Sequence, residues 1–113
     1  MRDDREKLLD ILEAIGQIVK YAERGPEAFA NEELIQVWIV HHLRIIGEAS
    51  RSLSAEIREK HGEVPWSQII SLRNLLVHHY FGIDLEVIRD IVKNDLPPLK
   101  RQVESILQEL GGP

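Results

Sequence analysis

One segment in the first half of the chain is apolar nearly all the way round a helix, and it restricts the fold more than any other feature. A helix predicted from about Glu32 to Lys60 would carry apolar side chains on almost every face of its middle part: Leu34, Ile35, Val37, Trp38, Ile39, Val40, Leu43, Ile45 and Ile46. Such a helix needs cover on two sides. In a chain of 113 residues, a second subunit is a natural source of the second cover.

The other apolar residues also recur at helical spacing, and no stretch alternates as a β-strand does. The first expected helix covers about Asp3–Arg24 and is stopped by Gly25-Pro26, and the long second helix has Asn31 as its N-cap. A third helix covers Trp66–Tyr80 and is closed by Phe81-Gly82. A short fourth helix runs from the N-cap Asp84 to about Lys93, and a last helix is capped by Asn94 or Asp95. We therefore expect an all-α bundle of four to five helices, forming one domain over residues 1–113.

Composition narrows the class of protein. Without Cys there is no disulfide framework, thiolate metal site or catalytic thiol. The charged start of the chain does not resemble a signal peptide, and no apolar run approaches the ~20 residues of a membrane helix, so we expect a cytoplasmic protein. The formal net charge of −5 argues against nonspecific coating of nucleic acid. If the protein handles RNA, a local pocket must supply the positive charge.

The densest chemistry lies in the eight residues from Arg73 to Tyr80, which contain Arg73, Asn74, His78, His79 and Tyr80. These residue types suit phosphodiester cleavage without a metal. A His can take a proton from a ribose 2′-OH or give one to the leaving oxygen, and an Arg can hold the phosphate. The Asn can orient the imidazole or contact the phosphate, and the Tyr offers a donor, a stacking surface or a hydroxyl to modify.

Helical geometry separates the two principal candidates. Arg73 and His78 are five residues apart, which places them roughly 140° apart around a helix. One helix therefore makes a poor clamp for a phosphate. Two copies of the helix meeting about a two-fold axis would bring Arg73, Asn74 and His78 of both copies into one cleft, so we expect the site at a homodimer interface.

A purely structural interpretation accounts for the same residues. In it, Asn74 and His78 cap or line a helix end, Arg73 pairs with a carboxylate, and Tyr80 belongs to the core. An Arg followed five positions later by a His is by itself weak evidence for a site. The adjacent Asn and the Tyr two positions after His78 make a coincidence harder to accept.

Outside this stretch the signals are weaker. Arg44, Arg51 and Arg58 recur every seven residues, as either a solvated face near Glu48 and Glu59 or an accessory strip that contacts phosphate. The adjacent His41 and His42 should face different directions, which suits neither chelation nor a shared site. His61 lies near an expected helix end. No metal site is expected, and no cofactor.

The arrangement Arg73-Asn74, three residues, His78, one residue, Tyr80 resembles the signature of the HEPN superfamily, and specifically of HepT-like toxins. The resemblance extends over nearly the whole chain, through Ile46-Gly47-Glu48-Ala49, Pro65-Trp66, Phe81-Gly82-Ile83-Asp84 and Leu96-Pro97. It implies an all-α homodimer with metal-independent ribonuclease activity, the toxin of a type II toxin–antitoxin pair.

The resemblance also assigns roles to residues. Arg73 and His78 correspond to the catalytic pair of the family, and Asn74 to its polar companion. Tyr80 corresponds to the Tyr that a small nucleotidyltransferase antitoxin adenylylates. His79 fits the looser spacing of the superfamily, so it joins Arg44 and Arg51 as an accessory candidate.

Two other classes of function fit the sequence. The first is a non-catalytic helical dimer that binds nucleotide or RNA and docks a nucleotidyltransferase, which the acidic net charge favours. The second is a structural helical adaptor, in which changes in the motif would alter stability alone. An RNA-cleavage assay distinguishes the non-catalytic dimer from a ribonuclease.

Overall fold

The architecture is built around one long helix, α3, which spans Glu33–Ser52 in the computed structural model. The structure describes residues 3–78 and 84–111, and these ranges contain helices and turns without any strand. The other helices are α1 (Asp4–Ala22), α2 (Pro26–Asn31), α4 (Ala55–Lys60), α5 (Trp66–His78), α6 (Leu85–Asp90) and α7 (Leu96–Glu109), with a π-helical segment, Ile91–Asp95, joining α6 to α7. The predicted all-α bundle is confirmed, with four long helices and three short ones in this part of the chain.

The apolar circumference of α3 is covered mostly from within the chain. α1 packs along one side of α3 and α5 along the other, while α7 packs against α1. The α3 side chains facing these helices are buried, namely Ile35, Ile39, Val40, Leu43 and Ile46. Leu34 and Val37 remain 85% and 41% exposed, so one edge of α3 carries apolar surface that residues 3–78 and 84–111 leave uncovered.

The prediction of one helix from Glu32 to Lys60 was wrong at its C-terminal end. The chain leaves the helix at Leu53 and Ser54, where both residues are extended, and α4 begins at Ala55. The Ser54 side chain accepts a hydrogen bond from the Ile57 backbone N–H (3.2 Å), and its hydroxyl donates to Asp4 Oδ2 (2.7 Å). This cap starts a new helix, and the link to Asp4 attaches the break to the start of α1.

The link between α1 and α3 also differs from its prediction. Residues Pro26–Asn31 form the short helix α2, whose Phe29 reaches the core. Asn31 is therefore the last residue of α2, and the N-cap of α3 is Glu32, whose side chain makes no capping hydrogen bond. Pro26 suits the first helical position because its missing N–H would be unpaired there in any case.

Gly47 lets α3 and α5 cross closely. A Cβ added to Gly47 would overlap the Cβ of Arg73 and would lie 2.8 Å from its Cγ and 3.3 Å from its Cα. No larger residue fits without moving one of the two helices. The crossing therefore fixes the backbone of Arg73 directly against α3.

The last helix begins at Leu96, directly after Asp95, one of its two predicted N-caps, but the Asp95 backbone is itself helical and its side chain makes no capping hydrogen bond. Asp84 caps α6 as expected, accepting a hydrogen bond from the Glu86 backbone N–H at 2.9 Å. The chain then passes through the π-helical turn, in which Leu96 N–H donates to the Ile91 carbonyl, and enters α7. The wider turn accommodates the start of a helix that carries prolines in its first turn.

The C-terminal end of the third predicted helix cannot be compared with the structure. The expected end of the third helix at Phe81-Gly82 lies outside the described residues, as do His79 and Tyr80. Over the ranges 3–78 and 84–111, no helix is long and apolar enough to cross a bilayer.

Candidate functional site

Arg73 lies on α5 at the crossing with α3 and forms an ion pair there. Its Nη2 is 2.9 Å from Oε2 of Glu48, the residue that follows Gly47 on α3. The Arg73 side chain is 24% exposed and that of Glu48 is 52% exposed. The pair is therefore open to solvent on one side, and the guanidinium is held where a dissolved ligand can reach it.

Asn74 supplies the second contact to the same guanidinium. Arg73 Nη1 donates a hydrogen bond of 3.0 Å to Asn74 Oδ1. The two terminal nitrogens are thus held by two oxygens from different helices, which restricts the orientation of the planar group. A guanidinium has five N–H donors, so donors remain for an oxyanion on the exposed side.

The pairing of Arg73 with a carboxylate is one element of the purely structural interpretation. A partly exposed ion pair of this kind contributes on the order of 0–1 kcal/mol to stability. The ion pair with Glu48 therefore makes Arg73 only a small contributor to the stability of the fold. Its clearer consequence is geometric, since it fixes the guanidinium at the mouth of a cavity.

That cavity is an open cleft of about 350 Å³ between α3 and α5. It is lined by His41, Arg44, Ile45, Glu48 and Arg73. Arg44, an accessory candidate from the sequence, is exposed and shares this cleft with Arg73. The lining holds two guanidinium groups and one carboxylate, so its fixed charge is net positive in a chain whose formal net charge is −5.

His41 is the cleft residue that sequence reasoning missed. The expectation that His41 and His42 face different directions is confirmed, because His41 is exposed and His42 is buried. The dismissal of His41 as a site residue overlooked its spacing. Counting from His41, Arg44 is three residues on and Glu48 seven residues on, which puts all three on one face of α3.

The remaining Arg residues of the predicted strip separate. Arg51 lies on α3 three residues after Glu48, and its Nη1 is 3.9 Å from Glu48 Oε2. Arg58 lies beyond the break, on α4, and lines a different cavity together with Trp66. A single stripe of three Arg residues was therefore wrong, because the helix that would have aligned them ends at Ser52.

The structure leaves the other motif residues as predictions. His78 is the last residue of α5, which is α-helical from Trp66 to this point. The backbone separation of Arg73 and His78 around the helix is therefore the one expected from their spacing. The His78 side chain, and all of His79 and Tyr80, lie outside what is described.

The described residues offer no arrangement for a metal ion. Within them, no group of three or more His, Cys, Asp or Glu side chains is placed to hold one. His61, which is buried at the end of α4, instead lies 3.1 Å from a Glu109 carboxylate oxygen.

Comparison with known proteins places these residues in a family. The family model described as "Ribonuclease HepT-like" matches residues 11–106. A protein of Methanocaldococcus jannaschii named "Putative RNase" is 40% identical over 106 residues, covering 93% of this chain and 97% of that protein. A Caldanaerobacter subterraneus protein with the same designation is 40% identical over 83 residues, covering 74% of each chain.

A third relative carries the family name. A Thermococcus cleftensis protein named "Probable ribonuclease HepT" is 36% identical over 106 residues, covering 93% of this chain and 96% of that protein. No solved structure matches. The match to the family model and the length of these alignments show that this chain belongs to the HepT-like ribonuclease family.

Proposed function

We propose that the protein is a metal-independent endoribonuclease, the toxin of a type II toxin–antitoxin pair, which cleaves RNA at the cleft between α3 and α5. The observation that carries the proposal is the Arg73 guanidinium. It is oriented by Glu48 and Asn74 and faces a cleft that also contains Arg44. A phosphodiester is the ligand that such a pair of guanidinium groups suits best.

The reaction proceeds by attack of a ribose 2′-OH on the adjacent phosphorus. A His78 imidazole removes the 2′-OH proton, the new P–O2′ bond forms, and the P–O5′ bond breaks as a proton is delivered to the departing 5′ oxygen. The products are a 2′,3′-cyclic phosphate and a 5′-OH. Arg73 stabilises the negative charge that accumulates on the phosphoryl oxygens. DNA is spared because it has no 2′-OH. The substrate class is RNA, with tRNA as one candidate.

A dimer supplies both proton transfers. Arg73 and His78 are separated around α5, and base and acid act on opposite sides of the phosphorus. Two copies of α5 facing one another allow one His78 to act as base and its symmetry mate as acid. The uncovered apolar edge of α3, with Leu34 and Val37, is the surface on which a second copy would pack.

The decisive experiment is cleavage of RNA by the purified protein in EDTA. The expected products end in 2′,3′-cyclic phosphate, which alkaline phosphatase alone does not remove. His78→Ala should lower kcat by roughly 10²- to 10⁴-fold because a proton-transfer group is lost. Arg73→Ala should lower it by roughly 10²- to 10³-fold because charge stabilisation is lost.

The matched control for Arg73→Ala is Arg101→Ala, which removes one exposed positive charge from α7 and should leave cleavage unchanged. Cleavage that persists in both Arg73→Ala and His78→Ala would refute the site. Cleavage that disappears in EDTA and returns with a divalent cation would refute the metal-independent mechanism.

Inhibition by adenylylation of Tyr80 is the second part of the proposal. An AMP group attached two residues after His78 would add bulk and negative charge beside the phosphate site. After co-expression with a nucleotidyltransferase antitoxin, intact-protein mass spectrometry should show one added AMP. Tyr80→Phe should show none and should escape inhibition. If the antitoxin inhibits the ribonuclease while Tyr80 remains unmodified, the inhibition is steric instead.

A non-catalytic role is favoured by one observation. Glu48 places a carboxylate inside the cleft and pairs with Arg73, which reduces the attraction for a polyanion. In this alternative the cleft holds nucleotide or RNA while the dimer docks a nucleotidyltransferase. RNA that is bound but never cut, with binding that depends on Arg73, would support it over the enzyme.

A further inference from the structure

His41 and Arg44 extend the cleft away from Arg73 along α3. Arg44 is four residues before Glu48 and His41 is seven residues before it, so at 1.5 Å per residue they lie about 6 Å and about 10 Å along the helix axis from the carboxylate that holds Arg73. Both side chains are exposed and both line the cleft. A strand whose phosphate lies on Arg73 would therefore meet Arg44 first and His41 next.

The His41 ring is positioned by a buried neighbour. It meets the His42 ring nearly at right angles, with centroids 5.0 Å apart. His42 is itself immobilised, because its Nδ1 donates to the Trp38 carbonyl at 2.8 Å and its ring lies 4.5 Å from the indole of Trp38. Trp38 Nε1 in turn donates to the Gln17 carbonyl of α1 at 3.0 Å.

This series of rings continues to Tyr21, whose centroid lies 5.3 Å from that of Trp38. An aromatic series thus runs from the packed surface of α1 to the cleft and ends in an exposed imidazole. The His41 side chain is exposed and lines the cleft, so a ligand in the cleft can reach its ring. A planar ring held in place beside guanidinium groups is the combination with which proteins bind single-stranded nucleic acid, through stacked bases and paired phosphates.

We propose that His41 and Arg44 form a second nucleotide subsite, in which Arg44 pairs with the phosphate next to the scissile one and His41 stacks on the base of that nucleotide. The inference rests on the proposed function, since it takes RNA as the ligand of the cleft. It adds a determinant of affinity and sequence context on α3, separate from the motif on α5.

Binding can be measured apart from cleavage with a fluorescein-labelled, 2′-O-methylated single-stranded RNA, which lacks the attacking hydroxyl. By fluorescence anisotropy, His41→Ala should raise Kd about tenfold, as expected for the loss of one base stack. His41→Phe should stay within about twofold of the original protein, because a ring is retained. Arg44→Ala should lower the slope of log Kd against log salt by about 1, as expected for the loss of one phosphate contact.

A series of RNAs with a single abasic nucleotide locates the stacked base. At one position along the series, the original protein should bind as weakly as His41→Ala, and the two proteins should no longer differ. Arg101→Ala is the control for a general loss of positive charge, since Arg101 is exposed on α7 and does not line the cleft.

The outcomes separate this inference from the proposed function. Binding by the original protein with an unchanged Kd in His41→Ala overturns the subsite and leaves the ribonuclease proposal standing. Equal weakening in His41→Phe and His41→Ala, with an altered pH profile of RNA cleavage, overturns the stacking role in favour of proton transfer. Failure of the original protein both to bind and to cut RNA overturns the proposed function and the subsite together.

Discussion

At the scale of single residues, Glu48 affects both the position of Arg73 and the charge of the cleft. Its carboxylate lies 2.9 Å from Arg73 and 3.9 Å from Arg51, so it holds one guanidinium firmly and a second loosely. It also places a negative charge where RNA would bring a phosphate. Positioning of Arg73 and repulsion of the ligand are therefore opposite effects of the same group.

Glu48→Gln separates these two effects, because the amide oxygen can still accept from Arg73 while the charge is gone. RNA affinity at low salt should rise about threefold, the size expected for removing a unit charge about 6 Å from a phosphate in water. The gain should shrink as salt is added. Anisotropy titrations at two ionic strengths measure both effects.

The control for this change is Glu104→Gln, which removes an exposed carboxylate from α7. An equal gain in affinity from both variants would mean that net charge alone is responsible. A loss of affinity in Glu48→Gln would mean that the charged pair is needed to hold Arg73 in place.

At the scale of helices, the crossing of α3 and α5 joins the fold to the site. Gly47 is buried at this crossing, and the space that a side chain would occupy is taken by the side chain of Arg73. The close approach of the two helices brings Arg73 within reach of Glu48. The packing of Gly47, the neighbour of Glu48 in the chain, therefore sets the geometry of the ion pair.

Gly47→Ala should destabilise the protein by about 1–3 kcal/mol, the usual cost of overpacking a closely packed site. It should also lower RNA cleavage, because Arg73 must shift. Chemical denaturation monitored by circular dichroism gives the first quantity and the cleavage assay gives the second.

Gly16→Ala is the matched control within the same chain. Gly16 lies inside α1, and an added Cβ would meet nothing within 4 Å. This change should stabilise the protein by about 0.5–1 kcal/mol through helix propensity and should leave cleavage unchanged. If Gly47→Ala behaved like Gly16→Ala, the close crossing would not be what holds Arg73.

At the scale of the whole molecule, the exposed apolar edge of α3 is the surface on which the proposed second copy would pack. Leu34 is 85% exposed and Val37 is 41% exposed. His41, Arg44 and Glu48 continue the same edge at three- and four-residue spacing and form one wall of the cleft. A second copy packed on the apolar half would thus lie beside the cleft.

Leu34→Lys should convert a dimer into a folded monomer at micromolar concentration. The substitution places a charge in the proposed interface, whereas it costs the monomer little because the side chain is already exposed. Light scattering coupled to size exclusion gives the mass, and circular dichroism verifies the fold. RNA cleavage should fall with dimer content.

Leu110→Lys is the control, since Leu110 is 43% exposed at the end of α7, away from this edge. It should leave the dimer intact. A monomeric original protein, or a Leu34→Lys variant that remains dimeric, would contradict this interface.

The sequence by itself was sufficient for the helical class, for most of α1 and α5 and for the family. Apolar periodicity, the Asp84 cap and the spacing within the motif are local properties, so they can be read along the chain. It was not sufficient for the break after Ser52. The reason is that the cap at Ser54 is completed by Asp4, which is remote in sequence and comes close only when α1 packs against α3.

The same distinction applies to the candidate site. The sequence singled out Arg73 and Asn74 through their spacing, but the carboxylate that pairs with Arg73 lies on a different helix. Only the tertiary structure decided that Glu48 holds Arg73 and that His41 enters the cleft. These contacts depend on where two helices cross and on how each is rotated about its axis, and both are set by packing across the whole core.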